Sequence, residues 1–172
     1  PQARELAVIA VLCGIAVVGR SALFMLPQCK PVIAVAIVAG AALGGETGFL
    51  VGALSMLVSN LLFGQGPWTP WQMFAAGLTG FLAGVLFSRC SRKNRLALSL
   101  FGGAASVLLY GVIMNTSSAL LWADPPTWPI LLTYYAAGFP MDCIQGGATF
   151  VFLWFAAEPM LEKLERVKRK YG

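Results

Sequence analysis

The residues best placed to do chemistry are few, and they sit in surroundings almost free of charge. Asp142 is the only charged residue between Pro125 and Ala157, and it follows Pro140 by two positions. Asn60 and Asn115 stand in similarly apolar runs. A polar group inside hydrocarbon needs a partner or a function, so each of these positions calls for one or the other. Three fates fit Asp142: an ion pair with an inward-bent base such as Arg20, contact with a ligand, or a protonated carboxyl. The chain has no histidine. This removes most zinc sites, Ser-His-Asp hydrolysis and histidine proton relays together. Cys13, Cys29, Cys90 and Cys143 lack metal-type spacing and read as small apolar fillers rather than disulfides. One aspartate without a paired carboxylate gives general acid–base catalysis no partner group, and no G-x-x-x-x-G-K-[ST] phosphate loop is present. The chain reads as a protein with no catalytic residues, no metal and no resident cofactor. Any ATP-driven work falls to other subunits.

What remains is recognition by amides and aromatic rings. The segment Gly64–Trp71 packs two Gly, two Pro, two Trp, a Gln and a Thr into eight positions. The segment Ser117–Trp128 carries Trp122, Asp124, Pro125, Pro126 and Trp128. Singly, such tryptophans form an aromatic belt at the headgroups; together, two proline-stiffened loops on one face suit the rim of a ligand cavity. The expected cavity opens outward between helices three to six. Its first-choice residues are Asn60, Gln65, Trp68, Trp71, Gln72 and Asn115, with Tyr134, Tyr135 and Asp142 behind them.

Composition sets the elements that hold these groups. Hydrophobic residues are 58% of 172 and charged residues 11%, against roughly 25% charged in a soluble domain. One soluble core cannot hide that much apolar surface in so short a chain. A span takes ~20 apolar residues, which allows six or seven spans and no second domain, so residues 1–172 form one unit. Charge-free stretches place one span before Arg20. Three more run up to Phe87, divided by Gly44-Gly45 and by the segment 64–70. The fifth covers Leu96–Thr116 and the sixth Pro129–Ala157, which at 29 residues is ~43 Å long and must tilt or kink at Pro140. The first apolar run leads into Arg20, not into a small-residue cleavage site, so no cleavable signal peptide is expected. The fold class is an all-α integral membrane protein, a bundle of six transmembrane helices.

Ten of the twelve basic residues lie at the amino end, in the loop Ser88–Arg95 or in the tail after Ala157, leaving Arg20 and Lys30 on the other face. Basic residues in short loops mark the cytoplasmic side, which puts both termini in the cytoplasm. The net charge of +5 then answers anionic headgroups of membrane lipid and not a nucleic acid. Ala3, Ala7, Ala10 and Gly14 set small side chains four apart on the first helix, as do Gly40, Gly44, Gly48 and Gly52, and Gly80 with Gly84. Small residues at that spacing let helices approach closely, within the bundle or, for the first helix, with a partner protein.

The runs Arg20-Ser21-Ala22-Leu23-Phe24-Met25-Leu26-Pro27-Gln28-Cys29-Lys30-Pro31, Val58–Met73 and Pro140-Met141-Asp142 resemble an S component of an energy-coupling factor (ECF) vitamin transporter. Gly64–Met73 is the most specific part, and the cobalamin-specific branch is the most similar. One departure is visible: Gln145 stands where that resemblance leads one to expect a histidine. The resemblance implies a substrate-binding subunit of an ATP-driven importer in a bacterial cytoplasmic membrane. It implies a small-molecule vitamin, here cobalamin, captured at the outer face under a mobile loop containing Arg20, Pro27, Gln28 and Lys30. It further implies toppling against a transmembrane coupling subunit driven by two ATPases, met by Ala10 and Gly14. The alternatives are an S component for another vitamin or precursor, or a non-transport membrane scaffold of the cell-shape type.

Overall fold

The computed structural model of the chain describes residues 3–23, 25, 31–87, 94–125 and 127–171. Among these residues the regular elements are helices: α1 (Ala3–Ala22), α2 (Val32–Leu43), α3 (Gly45–Phe63), α4 (Thr69–Phe87), α5 (Arg95–Trp122) and α6 (Trp128–Tyr171). Each apolar stretch expected to span falls on one helix. Four of them, α1, α3, α4 and α5, are long and apolar enough to cross a membrane. The chain is therefore an all-helical, multi-pass membrane bundle.

α2 is different. Its sequence VIAVAIVAGAAL is apolar on every side, the pattern of a helix that meets no water. It has 12 residues, which is only ~18 Å of helix. Every residue from Val32 to Ala42 is buried, because α2 packs against all five other helices. The helix stops at Gly44, whose φ of 108° lies in the region that L side chains avoid. One residue later α3 begins, so Gly44 alone makes the reversal, as the Gly44-Gly45 pair predicts. A Cβ on Gly40 or Gly48 would fall on the carbonyl oxygen of Gly80. These glycines bring α2, α3 and α4 into backbone contact, and for them the stripe of small residues is internal packing.

Two boundaries differ from expectation. α5 runs through Thr116 to Trp122, so the first half of the loop expected over Ser117–Trp128 is helix. The stretch Ser117-Ser118-Ala119-Leu120-Leu121-Trp122 contains no breaker, and the Ser117 hydroxyl donates to the Met114 carbonyl at 2.8 Å. The stop comes at Ala123, ahead of Pro125 and Pro126. Midway, Ser106–Gly111 adopts π geometry, a local widening often found at functional sites. α6 does not end at Ala157 but continues through Pro159 to Tyr171, 44 residues in all and ~66 Å long. The charged tail stays helical because it is amphipathic: Leu161 and Leu164 are buried, and Lys168 Nζ donates to the Ala42 carbonyl at 3.5 Å. Glu162 and Arg166, four apart, add favourable spacing on the opposite side.

Candidate functional site

The expected site residues collect into two polar groups, one on α3 and α4 and one on α5 and α6. The first is built around Arg20, which is buried at the end of α1. Its Nη1 donates to Ser59 Oγ and to Asn60 Oδ1 at 2.9 Å, and its guanidinium lies 5.1 Å from the centre of the Phe63 ring. Asn60 is 1% exposed; its Nδ2 donates to Gln72 Oε1 at 2.6 Å and to Thr69 Oγ1 at 3.2 Å. Thr69 Oγ1 also takes the Gly66 amide at 3.3 Å, tying the connecting segment to the cluster. One cation therefore joins α1, α3 and α4 through side chains that each hold a partner. Neutral oxygens and a ring face carry the charge, arrangements in which charge-assisted bonds and cation–π contact are worth most.

Around this cluster the aromatic segment is half-buried. The Trp68 ring lies over Gly66, where a Cβ would sit 2.6 Å from Cε3, and Trp71 is half-buried at the start of α4. Gln65 is exposed, and its Nε2 donates to the Leu57 carbonyl at 3.2 Å, which secures the end of α3. Pro27, Gln28 and Lys30 lie outside the described residues.

The second group is a seam between α5 and α6. Asn115 Nδ2 donates to Asp142 Oδ2 at 2.8 Å. Two glycines make room for the pair: a Cβ on Gly111 would lie 2.7 Å from the Asp142 carboxyl, and one on Gly138 would lie 2.8 Å from Asn115 Nδ2. Thr116 Oγ1 and the Tyr135 hydroxyl share a hydrogen bond of 2.5 Å. Further along, Ser106 Oγ donates to Thr149 Oγ1 at 3.1 Å. The anticipated pairing of Asp142 with Arg20 does not form. Arg20 is held by α3, and Asp142 takes an amide instead. Tyr110, buried in the π segment, stands within electrostatic reach of both, and α4 packs against the second half of α5, so the two groups adjoin.

Sequence reasoning missed Ser59, Thr69, Tyr110 and Thr116. Ser59 and Thr69 had a signal, since each shares a turn or a loop with a residue already chosen. Tyr110 had none, because one tyrosine in an apolar run reads as core. Among the cysteines, Cys13 is a buried filler whose Sγ lies 3.7 Å from the Val51 carbonyl oxygen, while Cys143 is exposed and fills nothing. Trp122 and Trp128 are 65% and 76% exposed, as belt residues are.

The small-residue face of α1 behaves unlike the internal one. Ala3, Ala7, Ala10 and Gly14 are all exposed, and a Cβ on Gly14 would meet nothing within 4 Å. Beside this face, Ala7, Val11 and Ile15 of α1 and Met160, Leu164 and Val167 of α6 line an apolar groove of about 360 Å³.

The sequence pattern that defines the family described as "ECF transporter, substrate-specific component" matches residues 4–160. No curated protein and no solved structure matches the chain.

Proposed function

Because the chain belongs to the family of substrate-specific components of ECF transporters, we propose that it captures cobalamin and related corrinoids at the outer face of a bacterial cytoplasmic membrane. In this reading the chain crosses the membrane six times with both ends in the cytoplasm, and it delivers its ligand by toppling against a transmembrane coupling subunit. Two partner ATPases do the work. The chain itself is not an enzyme.

The observation that carries the transport reading is the exposed face Ala3–Ala7–Ala10–Gly14. All four positions are exposed and a Cβ on Gly14 would meet nothing within 4 Å, whereas a Cβ on Gly40, Gly48, Gly52, Gly80 or Gly84, at the same spacing, would strike the backbone of a neighbouring helix. A stripe of small residues lets a second helix come near enough for dispersion and Cα–H contacts to hold it. A membrane scaffold could share this face but would need no polar seam inside the bundle. For the ligand, Asn115 and Asp142 supply donors and acceptors, Asn60 and Gln72 fix the wall beside them, and Trp68, Trp71, Tyr134 and Tyr135 supply apolar faces. A corrinoid presents both, as a flat ring fringed with amides.

Three measurements test the proposal. Calorimetry of the purified subunit is expected to give heat with cobalamin and cobinamide. No heat with either, alongside tight binding of a smaller vitamin, would leave the family and remove the substrate. Separately, Ala10→Trp or Gly14→Leu is expected to abolish ATP-driven uptake by the full transporter while ligand binding persists; uptake at the normal rate would remove the coupling role. For the topology, a cysteine at position 94 is expected to react from the cytoplasm and one at 127 from outside.

A further inference from the structure

The seam between α5 and α6 has a gap in its pairing. Reading along α6, Asp142 is paired with Asn115 and Thr149 is paired with Ser106. Between them stands Gln145, 1% exposed, whose Nε2 has no hydrogen-bond partner among the described residues. Residues three and four apart share one face of a helix, so Gln145 lies on the face of Asp142 and Thr149, toward the π segment Ser106–Gly111. A buried amide donor left unpaired in an apolar bundle costs more than a hydrogen bond gains, and a leucine of similar size would remove that cost. Asp142 is incomplete in a matching way. Its Oδ2 takes Asn115, but Oδ1 accepts no hydrogen bond among the described residues, and the nearby cation, Arg20, is engaged on α3. One turn of α6 thus sets a buried, unfilled donor beside an unfilled acceptor, next to the stretch of α5 that leaves α geometry.

We propose that Asp142 and Gln145 form a two-point recognition edge for a ligand group carrying an N–H donor beside a carbonyl or ring-nitrogen acceptor, as in a carboxamide, lactam, ureide or aminopyrimidine. Asp142 Oδ1 accepts from the N–H, and Gln145 Nε2 donates to the acceptor. The inference rests on the ligand site adjoining this seam, and it is independent of which vitamin fills it. An anionic carboxylate ligand is disfavoured there, since it brings a second negative charge to Asp142 and offers no donor.

The test is calorimetric titration of the purified full chain, and of Gln145→Leu and Gln145→Glu, with cobalamin, riboflavin, biotin, thiamine, nicotinate and lipoate. Thermal melting of each variant without ligand accompanies it. The tightest probe is expected to be one of the first four, which carry such an edge. Gln145→Leu is expected to weaken that probe about tenfold, the loss of one neutral hydrogen bond. Gln145→Glu is expected to weaken it further, by about a hundredfold, because a carboxylate replaces the donor beside Asp142. Without ligand, Gln145→Leu is expected to melt at or above the wild-type temperature. Tightest binding of nicotinate or lipoate, unchanged affinity in Gln145→Leu, or a lower melting temperature of that variant without ligand would each overturn the proposal. If riboflavin, biotin or thiamine binds best, the edge stands and only the cobalamin assignment falls.

Discussion

The Arg20 cluster and the Asp142 seam are both buried polar networks in an apolar bundle, yet they are finished to different degrees. Around Arg20, the guanidinium, Ser59, Asn60, Thr69 and Gln72 exchange hydrogen bonds among three helices. Along α5 and α6, among the described residues, a carboxylate has one donor and an amide nitrogen has no partner. In a low-dielectric interior a satisfied network rigidifies and an unsatisfied one costs free energy until something completes it. The first network therefore acts as a joint, and the second has the character of a receptor.

The sharpest way to break this contrast is to remove the centre of each network. Arg20→Ala leaves Ser59 and Asn60 without their donor, and about 3 kcal/mol of stability is expected to be lost on thermal or denaturant unfolding in detergent. Asp142→Asn keeps an acceptor for Asn115 and removes an uncompensated charge. Its stability is expected to stay within about 1 kcal/mol of wild type while ligand affinity falls. Equal destabilisation by the two would erase the distinction. Next in size, Gly138→Ala pushes a methyl into Asn115 and is expected to cost about 1–3 kcal/mol as overpacking, with weaker ligand binding measured in parallel; Gly14→Ala, where space is open, serves as its control and should leave the unfolding midpoint almost unmoved. Smallest of all, Gln65→Ala removes one exposed hydrogen bond, so a loss under about 1 kcal/mol is expected. Trp68→Ala is expected to weaken binding more than Gln65→Ala does, because burying an aromatic face contributes more than one exposed amide. Equal affinities in the two would move the ligand away from Trp68.

Much of this architecture could be read from residue type. Charge-free lengths locate the helices, and Gly44 and the segment 64–70 mark where they break, since glycine and proline act locally and need no knowledge of the fold. Helix ends were less legible. The run to Trp122 is marked only by the absence of a breaker, and the tail after Ala157 stays helical through contacts that spacing alone does not give, namely the burial of Leu161 and Leu164 and the grip of Lys168 on the end of α2. In the site, single polar residues in apolar runs were visible, but their partners were not. Asp142 has Asn115 within reach rather than Arg20, a matter of which helices pack together, and spacing along one chain does not encode that. The tryptophans of the two connecting segments were legible as a class; which of them are half-buried was not.

The single-residue reversal at Gly44 also bears on how the chain enters its membrane. α2 is too short to cross a bilayer alone, at ~18 Å against a hydrocarbon core of ~30 Å, yet it is hydrophobic throughout and ends up touching every other helix. A segment of that kind gains little from being handed to lipid singly. With only Gly44 between it and α3, the two are expected to partition as one hairpin during synthesis. In a nascent chain truncated after Leu43 and otherwise free of cysteine, a cysteine placed at position 38 is then expected to react with a membrane-impermeant thiol reagent, and in one truncated after Phe63 to be shielded. Gly44→Val, which denies the backbone its φ of 108°, is expected to impair biogenesis before any transport step begins.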